Sequence, residues 1–395
     1  MVLSIIIGFI TSIINTRTLG PEGYGDYKFI INLFQFMTIL SSLGLSYTTS
    51  QHLTQMQSGD NRKLCLIGAN FIFTVVISVF FIICSIIFSF LEPYFFESHL
   101  SNVILLFSPL VAVFIFNSTI ENILPGDNKI HQLSLFRVIP ALFFMLLLLL
   151  VNYIYHLNLL ITLFIQIVIG IVTIIVFYRL LRPEYIDYKN NIRLIWEANK
   201  KFGWHVYIGS LSGVASTYIS TFMISYFLDN THVGYFSLAI TLTMPLMQIS
   251  SIVGITYFKE FANVNILPRK VTFLTALISA ISTIIFILII KPVVLMVYTE
   301  SFVQVAYISS IIAIGAAIHG MGDYFNRFLG AHGQGKQLRN GAFVVGVVNI
   351  LGYFILIKFF GIAGAAITRL AAGLIYCSMM IFYYIRFRKR RAISL

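Results

Sequence analysis

The chain has 395 residues, of which 58% are hydrophobic and only 10% charged, and its formal net charge is +12. Soluble domains carry about 25% charged residues, so this composition excludes a soluble enzyme and specifies an integral membrane protein. The basic excess is accounted for by membrane topology and requires no nucleic-acid partner.

A membrane span needs about 20 apolar residues. Twelve stretches qualify, at about 2–18, 27–50, 64–90, 103–123, 134–153, 158–178, 204–228, 235–257, 271–291, 303–325, 341–358 and 363–384. Met1–Gly8 has no basic flank and no small-residue cleavage site follows it, so no cleavable signal is expected. Between the first two spans lies Arg17-Thr-Leu-Gly-Pro-Glu-Gly-Tyr-Gly-Asp-Tyr27. Gly20, Gly23 and Gly25 with Pro21 predict a tight turn there.

Loop charge sets the orientation. Loops 51–63, 124–133, 179–203, 258–270 and 326–340 and the tail 385–395 hold 20 of the 26 lysines and arginines. These loops and both termini are therefore expected in the cytoplasm. The tail Arg386–Arg391 is also placed to meet anionic lipid heads.

An internal repeat is visible at a shift of 209 residues. Leu19 then meets Leu228, Gly25 meets Gly234, Tyr27 meets Phe236, and Gly126 meets Gly335. The repeating unit is six spans. Six is even, so the two copies are parallel and related by an axis along the membrane normal. The expected fold is an all-α membrane protein of about twelve transmembrane helices, in two six-helix lobes around a central cavity. The lobes are expected at 1–185 and 204–395, with a cytoplasmic linker at 186–203.

Charges inside spans are costly, and most often functional. Arg137 and Arg369 fall within spans, and Arg17 and Lys28 flank the first turn. These four are the candidates for holding an anionic substrate, because a planar guanidinium donates two parallel hydrogen bonds to phosphate. His319, Asp323 and Arg327 are spaced four apart and share a helical face. They suit either ion coupling and gating or a plain Asp–Arg pair with a histidine beside it. Glu121 forms a similar face with Asn117. Gly209, Gly213 and Ser216 form a small-residue face that permits close helix approach.

Enzymes and nucleotide binders are not indicated. Gly330-Ala-His-Gly-Gln-Gly-Lys-Gln337 lacks the final Ser or Thr of a phosphate-binding loop, and no strand precedes it. No metal-ligand spacing, cofactor motif or hydrolase motif occurs.

The Arg17–Tyr27 pattern, its echo at Phe227–Ala239 and Gly126-Asp-Asn-Lys129 resemble the polysaccharide transporter family. That family belongs to the multidrug/oligosaccharidyl-lipid/polysaccharide (MOP) exporter superfamily. The resemblance covers essentially the whole chain. It implies a MATE-like fold and a flippase for an undecaprenyl-diphosphate-linked oligosaccharide in a bacterial plasma membrane. It further implies alternating access; other polysaccharide-assembly membrane proteins are expected partners, and the His319, Asp323 and Arg327 face is where a coupling proton or sodium would act. Relatives carry an Asp-Arg pair in span 7, where this chain has Ser220-Thr221. Two rivals follow from other substrate classes. A drug/cation antiporter requires acidic cavity residues, and a glycan polymerase or glycosyltransferase requires a large external loop.

Overall fold

The computed structural model describes residues 2–56, 60–96, 99–211 and 216–393. Among the described residues every regular element is helical. The chain divides into two compact units, Met1–Leu211 and Ser212–Leu395.

The first unit begins with α1, Val2–Ser41, broken at Gly20 (φ 68°, ψ −178°). Glycine tolerates that backbone, and Pro21 restarts the helix because its fixed φ suits a first helical position. The predicted turn is therefore a one-residue break, much tighter than an eleven-residue loop. The second expected span, 27–50, is corrected. α1 stops at Ser41 and α2, Leu45–Gln55, starts after Gly44 in a left-handed conformation (φ 81°). A Cβ on Gly44 would overlap the Gly203 carbonyl, so the turn fits only without a side chain.

Next come α3 (Arg62–Phe95), α4 (Ser101–Phe107) and α5 (Pro109–Gly126). Pro109 opens α5 after a 50° bend from α4. α6 (Ile130–Ile154) and α7 (Leu159–Leu181) complete the six expected spans of this half. Their outward apolar residues, such as Phe143, Leu150, Phe164 and Val172, are exposed and suit contact with lipid.

The linker is helical. α8, Tyr188–Lys201, buries Ile195 and Asn199 against the first unit. Asn199 donates to the Leu43 carbonyl at 3.0 Å and accepts from the Thr48 hydroxyl at 2.9 Å. Trp196 stacks on Phe73. α9, Gly203–Ser210, continues the same packing. The division between units falls after Leu211, and Ile195 and Asn199 tie the linker helix to the first unit.

The second unit contains α10 (Ser216–Phe227), α11 (Asn230–Thr256), α12 (Phe258–Phe261) and α13 (Arg269–Val297). α14 (Val303–Ala331) and α15 (Gly335–Ile393) follow. α15 is broken at Gly361 (φ 56°) and so contains the last two expected spans. The break between α10 and α11 lies at Asp229, 209 residues after Gly20, where Asp229 caps α11 by accepting from the His232 amide at 2.8 Å. A break in the helix thus recurs at the shift of 209 residues.

Among the described residues, eight helices are long and apolar enough to cross a membrane, and α4 with α5 makes a ninth. α15 holds two of the expected spans, and α1 holds the first together with residues 27–41 of the second. The remaining span, 204–228, is covered by α9 and α10 on either side of residues 212–215. The face proposed for Gly209, Gly213 and Ser216 lies outside the described side chains.

Candidate functional site

The second unit encloses a cavity of about 340 Å³ among α11, α14 and α15. Its polar lining is Thr243, His319, Asn349 and Arg369. Helical spacing explains the grouping. Thr243 and Met247 sit one turn apart on α11, Gly315 and His319 one turn apart on α14, and Arg369 and Ala372 share a face of α15. α14 and α15 approach so closely because Gly315 and Gly373 present bare backbone. A Cβ on Gly315 would come 2.7 Å from Leu370 Cα, and one on Gly373 would overlap the Gly315 carbonyl oxygen.

Among the described residues, Arg369 is the one permanent cation of this lining, and no Asp or Glu lines the cavity. Within this unit, among the described residues, no carboxylate stands at ion-pair distance from it. The buried Tyr353 hydroxyl lies beside its guanidinium, with Ser220 close by. A guanidinium held in a membrane-spanning unit without a carboxylate is expensive.

The His319, Asp323 and Arg327 face is corrected in its detail. Asp323 and Arg327 do not form the expected i,i+4 ion pair, although Arg327 acts on Asp323 electrostatically. The Asp323 carboxylate instead accepts from the Tyr376 hydroxyl at 3.0 Å, and Tyr376 accepts from Asn326 Nδ2 at 2.9 Å. The Tyr376 ring stacks on the His319 imidazole, with centroids 4.4 Å apart and planes 20° apart. Tyr376 therefore connects His319, at the cavity, to Asp323 beyond it. Sequence reasoning missed Tyr376. Its only signal was its place seven residues, or two turns, after Arg369.

The other candidates belong to the first unit. Arg137 and Glu121 form an ion pair, with Arg137 Nη2 at 2.6 Å and Nε at 2.8 Å from Glu121 Oε1. Glu121 is thus the ion-pair partner of Arg137. Arg17 ends the helix before the Gly20 break, and Lys28 stands 5.4 Å over the Tyr24 ring after it.

The Arg137–Glu121 pair yields a test. If the pair matters as a pair, Arg137→Glu alone and Glu121→Arg alone each impair transport, and the charge-swapped double variant recovers it. Transport measured in all three separates this from a direct substrate role for Arg137, for which the swapped variant stays inactive.

The comparisons with known proteins agree with this architecture. A solved structure described as lipid II flippase MurJ in an inward closed conformation aligns with a TM-score of 0.78 and 15% identity, covering 99% of this chain and 89% of that one. An inward-facing multidrug resistance MATE family transporter of the MOP superfamily aligns at 0.76 and 15%, covering 98% and 96%. The same transporter class in an outward-facing conformation aligns at 0.63 and 14%, covering 98% and 94%. No curated protein matches by sequence. The profile of the family described as polysaccharide biosynthesis protein matches residues 1–258. That match takes in the Gly20 break, the whole first unit and the start of the second, and with it the chain belongs to the polysaccharide biosynthesis protein family and has the MOP exporter fold.

Proposed function

We propose that the protein is a flippase that moves an oligosaccharide linked to undecaprenyl diphosphate across the bacterial plasma membrane, by alternating access, for surface polysaccharide such as O-antigen or capsule. The observation that carries this reading is Arg369, a cation lining a cavity without any carboxylate among its described lining residues. A diphosphate cannot enter a low-dielectric interior uncompensated, and the guanidinium fork matches its oxygens. Arg17, Lys28 and Arg137, in the first unit, are proposed as further substrate-binding residues. The drug/cation antiporter reading is weaker, because a cationic drug would meet Arg369 and no acidic group among the described residues of this cavity.

His319 and Asp323, connected by Tyr376, are the proposed groups for coupling to a proton or sodium, with Arg327 and Glu121 in supporting roles. No cofactor is needed for such a cycle. Other membrane proteins of polysaccharide assembly are the natural partners, as donors and acceptors of the carried glycan.

The test is a proteoliposome assay with a fluorescent lipid-linked oligosaccharide and an impermeant quencher. Protein-dependent exchange between leaflets is expected. Transport of a cationic dye with no movement of the lipid would replace this reading with the antiporter.

Orientation follows the loop charges, with both termini cytoplasmic. A reporter fused after residue 395 should score as cytoplasmic, and one inserted within 155–158 as external. The reverse pattern would refute the charge-based orientation.

A further inference from the structure

We propose that the groove beside the end of α7 is a binding site for an anionic phospholipid, in the leaflet on the side that carries the basic loops. The groove offers about 580 Å³ and brings together Lys129, Arg179 and Arg182 with Leu64, Val176 and Leu180. Two loops far apart in sequence thus converge on one place, one entering α6 and the other leaving α7.

The charge of the site is unbalanced. Asp127 is shared by Lys63 at 3.2 Å and Lys129 at 2.8 Å. Glu184 lies against Cys65, whose thiol points to its carboxylate at 3.9 Å. Asp187 also acts on Cys65, so four cations (Lys63, Lys129, Arg179 and Arg182) face three carboxylates. Within this unit, among the described residues, neither arginine makes an ion pair. Arg182 closes α7 in a left-handed conformation (φ 48°), which directs the chain away from the helix axis.

The apolar wall decides between a lipid and a free anion. Phe164, Val168, Ile171, Ile175 and Val176 are exposed at helical spacing and form one continuous stripe along α7. Leu180 carries the stripe into the groove. An acyl chain laid on this stripe puts its phosphate at Arg179 and Arg182. A soluble phosphate would use the cations and leave the stripe idle. Arginine near the end of a span reaches head-group depth in the same way.

The experiment is native mass spectrometry of the full-length protein titrated with phosphatidylglycerol. The R179A/R182A double variant is expected to bind about thirtyfold more weakly, about fivefold for each arginine removed. A control double variant on α8, K189A/R193A, keeps wild-type binding. Phosphatidylcholine should not compete, and inorganic phosphate should not displace the bound lipid. The single variants R179Q and R182Q, each expected to weaken binding about fivefold, decide the matter should the double variant fail to express. Equal loss in the α8 control, displacement by inorganic phosphate, or preferential retention of undecaprenyl phosphate would each overturn the site as a phospholipid groove.

Discussion

Replacing Arg369 with alanine should lower the affinity for the lipid-linked glycan by about a hundredfold, while the amount of protein in the membrane stays the same. The magnitude takes the lower end for losing two charge-assisted hydrogen bonds, about 1.5 kcal/mol each. The sign follows from the surroundings. Thr243, His319 and Asn349 complete the polar lining, and none of them supplies a permanent charge. Arg369→Lys should restore part of the affinity, because an ammonium keeps the charge but loses the planar fork. Substrate titration in proteoliposomes reads both variants. Undiminished binding by Arg369→Ala at normal expression would remove the anion site. Loss of the protein itself would show that Arg369 chiefly supports Tyr353.

Gly373→Val should strongly damage the second unit at the α14–α15 contact. Its first side-chain atom would overlap the Gly315 carbonyl oxygen, which is backbone and cannot swing aside. α14 and α15 would have to separate, and Arg369 would then move away from His319. Overpacking of this kind costs about 1–3 kcal/mol or more. The expected result is a lower melting temperature in detergent and reduced transport. Gly335→Ala is the control, because nothing in its own unit lies within 4 Å of a Cβ there. An unchanged melting temperature for Gly373→Val would mean that the two helices tolerate a wider spacing than the structure shows.

Much of this was legible in the amino acids alone. Span positions follow from apolar runs, because hydrocarbon admits only backbones that satisfy their own hydrogen bonds. The repeat at 209 residues placed a break at Gly20 and another at Asp229, because glycine and an aspartate cap are local devices that need no distant partner. Arg369 stood out as a candidate because a charge in an apolar run is visible without any fold.

Partnership was not legible. Glu121 and Arg137 are 16 residues apart on different helices, and nothing local announces their ion pair. Asp323 had an arginine four residues away and took a tyrosine 53 residues away instead. Local spacing states which groups can meet, and packing states which do. The same holds for the linker, whose Asn199 finds its partners at Leu43 and Thr48, across more than 150 residues. The sequence by itself determined the class of protein, the positions of most apolar spans and which charges fall within them. Only the tertiary structure decided which of those charges are neutralised and which, like Arg369, line a cavity without a carboxylate, because burial and distance depend on residues remote in the chain.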